Sequence, residues 1–172
     1  MKSAESAWQK HLEDEIGRAG KVFVLGIGNA MRSDDGAGSL CSEDLAEKLS
    51  PEVESVFRSV TAHDVPENFT GVIRAFGPDL VIVVDAVLAG EKPGSIVLVD
   101  KMDIKDDGLS THRVPLSRFA DYLEKTVGCR VVFVCIQPDG LAFGASMTTA
   151  VREAALQVSR FLAEAATRFK TK

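Results

Sequence analysis

Residues 80–86 read LVIVVDA, an unbroken apolar run rich in β-branched side chains. No other stretch restricts the fold as much. A strand that is apolar on successive residues has no face for water, so it belongs inside a sheet covered by helices on both sides. Val22–Ile27 (VFVLGI) has the same character, and Arg130–Ile136 (RVVFVCI) supplies another strand. Between strands the pattern turns helical. Residues 4–18 place Ala7, Trp8, Leu12 and Ile16 on one side. A second helix enters at Gly36-Ala37-Gly38 and runs to about Leu49, with Leu40, Leu45 and Leu49 inward and Pro51 closing it. Further helices are predicted at about Pro66–Phe76, stopped by Gly77-Pro78, at Leu116–Thr126, stopped by Gly128, and at Ser146–Phe169. Val53–Val60 reads as a strand polar enough for a place near the sheet edge. The span from Ala86 to Ile96 is only about ten residues with a Pro-Gly turn, too short for a helical crossover, so Ile96–Val99 should run antiparallel. The expectation is a three-layer α/β/α sandwich on a mostly parallel five-stranded sheet with one strand antiparallel. Residues 1–172 read as one domain, with 1–20 a helical extension at the N-terminus.

Composition narrows the class of function. The 172 residues carry 25 acidic and 20 basic side chains, a net charge of −5, with no basic strip. That balance argues against nucleic acid or an anionic membrane as partner. No apolar run approaches the roughly 20 residues that span a bilayer, and the charged N-terminus does not read as a signal peptide. Cytoplasmic localisation is the expectation; the oligomeric state is not readable. Cys41, Cys129 and Cys135 lack CxxC spacing and sit among apolar or helical neighbours, which predicts reduced, buried thiols.

Chemistry is expected just beyond the strand ends. Asp34 and Asp35 follow the first strand, Asp85 closes the central one, and His112 lies in the polar loop after the fourth. Singly, each has an ordinary reading: a helix cap, a loop hydrogen-bonder, a loop histidine. Jointly, two carboxylates and one imidazole from three separate segments form a metal constellation with open coordination positions, suited to nickel or zinc. A dinucleotide turn is the competing reading of Gly26-x-Gly28. Against it, Met31 stands where the last glycine belongs, and two carboxylates occupy the place of a pyrophosphate. There is no Walker A sequence, GxSxG elbow or HExxH pair.

GIGNAMRSDDGAG, PENF (66–69), VIVVDA, STHRVPLS and IQPDG occur in this order, and together they resemble the maturation endopeptidases of nickel–iron hydrogenases. The resemblance covers residues 21 to about 165 and is nearest the type serving formate-hydrogenlyase-like and archaeal hydrogenases. It implies an endopeptidase that removes the C-terminal extension of a hydrogenase large-subunit precursor after nickel insertion. It also implies nickel contact by Asp35, Asp85 and His112, the metal being supplied by the precursor. A non-catalytic nickel-binding chaperone with the same three residues is the alternative; a Rossmann-type nucleotide enzyme stands behind both. His63 departs from the glycine-rich turn expected before PENF and reads as an exposed loop histidine. Gln137-Pro138-Asp139 is expected to shape the cleft or touch substrate.

Overall fold

The run at 80–86 is the middle strand of a five-stranded sheet in the computed structural model of this chain, which describes residues 6–99, 101 and 115–171. The strands are β1 (Val22–Ile27), β2 (Phe57–His63), β3 (Leu80–Ala86), β4 (Ile96–Val99) and β5 (Arg130–Ile136), in the order β2-β1-β3-β5-β4. The first four in that order are parallel. β4 runs antiparallel along β5, with Ile96 opposite Ile136 and Val99 opposite Phe133.

Helices α1 (Ala7–Gly17), α2 (Ala37–Lys48) and α5 (Thr149–Thr167) pack on one face, and α3 (Thr70–Phe76) and α4 (Leu116–Val127) on the other. Strand side chains divide between the two cores by parity. Leu80, Ile82, Val84 and Ala86 of β3 join α1, α2 and α5, while Val81 and Val83 join α3 and α4. Two-sided burial is why β1 and β3 show no alternation. Each fully buried Val, Leu or Phe here contributes about 1.5–3 kcal/mol. α1 belongs to this packing: Trp8, Leu12 and Ile16 are buried in the same core as α5, and Glu15 accepts from Arg130 Nε at 2.8 Å.

Several boundaries differ from the sequence reading. β2 begins at Phe57, not Val53, and extends through His63, because residues 51–56 form a turn. Val53 is buried and its carbonyl accepts from Phe57 N at 2.7 Å, so it anchors that turn instead of entering the sheet. The buried face of α2 is largely of small residues: Ala37, Gly38, Ser39, Cys41 and Ser42 with Leu45, while Leu40 and Leu49 are only partly buried. α5 starts at Thr149, since Thr148 is held by Asp34, and the chain tightens into a 3-10 turn at Arg168–Thr171. α1 is observed from Ala7, with residues 1–5 outside the described part.

Candidate active site

The end of β1 is built around a close backbone approach. Gly28 adopts φ +136°, and a Cβ there would lie 1.8 Å from the Asp35 carbonyl oxygen. Its N–H donates to the His63 carbonyl at 2.9 Å, and its carbonyl accepts from Ser39 Oγ at 2.6 Å. The chain then turns through Ser33, which carries a left-handed φ of +53°, into a 3-10 turn at Ser33–Gly36 leading to α2. α2 begins directly on the sheet: a Cβ on Gly38 would meet the carbonyls of Val84 at 2.1 Å and Ile27 at 2.2 Å. Any larger residue would lift the helix from β1 and β3.

This seat brings the predicted carboxylates to one end of the sheet. Gly26 of β1 pairs with Val84 of β3, so Asp85 stands one residue beyond the last β1–β3 pair, and the 3-10 turn bearing Asp35 packs against β3. Both aspartates are 1% exposed. Asp35 Oδ2 accepts the Asn29 N–H at 3.1 Å, and Asp85 Oδ1 accepts the Ala86 N–H at 2.8 Å. Asn29 is a positioning residue that the sequence reading missed. Its side chain donates to Asp64 Oδ2 at 2.8 Å and accepts from Met31 N at 2.9 Å. Its place directly after the Gly26-x-Gly28 turn was the available signal.

Asp34, adjacent in sequence, has a different use. Oδ2 accepts the N–H groups of Asp139 at 2.9 Å and Gly140 at 3.1 Å, and Oδ1 accepts the N–H of Thr148 at 2.7 Å, with the Thr148 hydroxyl 3.0 Å away. Burial pushes its pKa up, but these donors outweigh that and hold the carboxyl below its ordinary value. It is therefore an ionised clamp binding the β5–α5 loop to the 3-10 turn.

His112 lies outside the described residues. Among the described residues no group of three or more His, Cys, Asp or Glu is placed to hold a metal ion. His63 ends β2 with φ +51° and an exposed side chain, and its carbonyl closes the Gly28 turn. Gln137 is buried and organises the loop after β3: Oε1 accepts from Ala89 N at 2.8 Å and Glu91 N at 3.2 Å. All three cysteines are free and buried. Burial pushes the thiols of Cys41 and Cys135 far up, the latter helped by the Asp85 charge, and raises Cys129 to about 11. Neutral thiols are poor nucleophiles, which removes them from the chemistry at neutral pH.

Comparison with known proteins places the fold in a family. A family model described as hydrogenase maturation protease (HycI) matches residues 41–165. The hydrogenase 3 maturation protease of Escherichia coli K12 is 36% identical over 132 residues, covering 76% of this chain and 81% of that protein. The crystal structure of a HycI nickel–iron hydrogenase maturation protease from Thermococcus kodakarensis superposes with a TM-score of 0.83 at 30% identity, covering 91% of this chain and 99% of that one. The solution structure of the endopeptidase HycI from E. coli gives 0.72 at 33% identity, covering 81% and 87%. With a family model over most of its length and relatives above 30% identity across theirs, the chain belongs to the HycI hydrogenase maturation protease family and is an endopeptidase.

Proposed function

We propose that this endopeptidase cuts the C-terminal extension from the large-subunit precursor of a nickel–iron hydrogenase, and that it does so after nickel has entered the precursor. In this reading Asp35, Asp85 and His112 contact the precursor's nickel. The observation that carries it is the placement of two buried carboxylates, each steadied by a backbone N–H, at one end of the sheet: Asp85 closing β3 and Asp35 in the 3-10 turn that follows the neighbouring β1 and packs against β3. Two carboxylates with an imidazole from His112 form a donor set that fits nickel. Asp34 does not compete for that role, because both its oxygens are engaged by the clamp. The hydrogenase maturation names of the relatives support the substrate class.

The deciding experiment incubates purified enzyme with precursor in nickel-loaded and nickel-free forms and follows the substrate by mass spectrometry. The loaded precursor is expected to lose its extension and the nickel-free precursor to stay intact. Asp35→Asn and His112→Ala should each lower the rate by at least about a hundredfold with the circular dichroism spectrum unchanged. Equal cutting of both precursor forms would remove nickel from the reading. Nickel-dependent binding without cutting would instead support a chaperone.

A further inference from the structure

Six large apolar side chains are exposed among the described residues: Met31, Val65, Val72, Leu88, Tyr122 and Phe143. Val72 and Tyr122 lie on α3 and α4. The other four stand in the segments that follow β1, β2, β3 and β5, at the end of the sheet that carries Asp35 and Asp85. Single exposed apolar residues are ordinary; their gathering around one site is not.

Phe143 at 73% and Met31 at 59% are the most exposed of the six, and their two segments are joined. Gly144 N–H donates to the Met31 carbonyl at 2.7 Å, and Ser33 Oγ to the Ser146 carbonyl at 2.9 Å. Asp34 binds Asp139, Gly140 and Thr148 on either side of Phe143. The backbone thus ties the two segments together at the end of the sheet that carries the carboxylates, with both side chains exposed.

We propose that Met31 and Phe143 form an apolar contact for the substrate polypeptide, receiving apolar side chains of the large-subunit precursor next to the bond that is cut. This rests on the endopeptidase reading above. A peptidase must seat a chain across this rim, and a seated chain covers the two residues. A second copy of this protein on the same rim would close the site it surrounds. An anionic lipid surface is opposed by exposed Asp64 and Asp139 and by the net charge of −5.

The test measures precursor cleavage against precursor concentration for the full-length enzyme and for Met31→Ser, Phe143→Ser, the double variant, Phe143→Leu and Tyr122→Ser. Each serine variant at the rim should raise KM about tenfold with kcat within twofold, the double variant should raise it further, and Phe143→Leu should stay near the unsubstituted value. Tyr122→Ser, equally apolar in its loss but on α4, should change neither constant. A photo-crosslinking residue at 143 should capture the precursor. A double variant with KM within twofold of the parent overturns this inference while leaving the endopeptidase reading intact, as does an equal rise for Tyr122→Ser. If the unsubstituted enzyme leaves the nickel-loaded precursor uncut, both fall together.

Discussion

Asp34 and Asp35 are neighbours with identical side chains, and their surroundings give them opposite work. Asp34 collects donors from residues more than one hundred positions away and is spent as structure. Asp35 takes the Asn29 N–H and stays at the candidate site. Asp34→Ala should therefore strip an acceptor from three backbone N–H groups and cost about 3 kcal/mol, read as a lower urea midpoint at unchanged slope. Asp35→Asn keeps an acceptor for Asn29 and should leave the unfolding free energy within about 0.5 kcal/mol while removing activity. A reversal of these two outcomes would exchange the roles assigned to the pair. The acidic pair was plain in the sequence, and the family resemblance singled out Asp35 as the metal contact and left Asp34 to hold the turn; the partners Asp34 would take were not legible, since each lies in the β5–α5 loop or at the start of α5.

Among the elements, a polar contact ties α2 to α5 within a largely apolar interface. Asp44 of α2 accepts from the buried Ser159 hydroxyl of α5 at 2.5 Å and pairs with Lys48 one turn on. Burial pushes the Asp44 carboxyl up, but the hydrogen bonds from Lys48 and Ser159 and the charges of Lys48 and Arg160 outweigh it, so its pKa is lowered on folding. A carboxyl depressed in the folded state stabilises at all pH above its unfolded value near 3.9 and loses that contribution as pH falls through the folded value. The stability gap between the parent protein and Asp44→Asn should be about 1 kcal/mol at pH 7, should begin to narrow only below about pH 4, and should be lost by about pH 2. Urea titrations across that range check this; a gap independent of pH would assign the contact to packing alone. The elements also show what a sequence pattern can and cannot carry. β1, β3 and β5 were legible to the residue because an interior strand must be apolar throughout. β2 was misplaced because an edge strand tolerates Arg58, Ser59 and Thr61, and a buried Val53 in a turn mimics a strand residue.

Across the whole molecule, the α/β/α layering follows from counting apolar runs and the spans between them, and the antiparallel β4 follows from one short span. Burial of the three thiols was equally legible, because each sits in an apolar or helical pattern that a core must absorb. A thiol-specific reagent such as dithiobis(nitrobenzoate) should label none of the three within minutes at pH 8 and all three once the protein is unfolded in guanidinium. Rapid labelling of the folded protein would contradict the packing of Cys41 against α5 and of Cys135 beside β3. What was not legible at this scale is how the loops at one end of the sheet are bound together, since that depends on backbone groups, which every residue type shares.

Gly38 leaves no side chain between the first turn of α2 and the strands below it. Helix and sheet are accordingly in direct backbone contact, and the carboxylates stand at their junction, held by backbone N–H groups. The ordering entropy of an encounter then falls on the incoming chain, at about 1–2 kcal/mol for each backbone residue it immobilises. A long unstructured tail would lose more by lying down than a few contacts return. A substrate that presents only a short span of mobile chain from a folded body would meet a smaller ordering cost at such a site than a long unstructured tail.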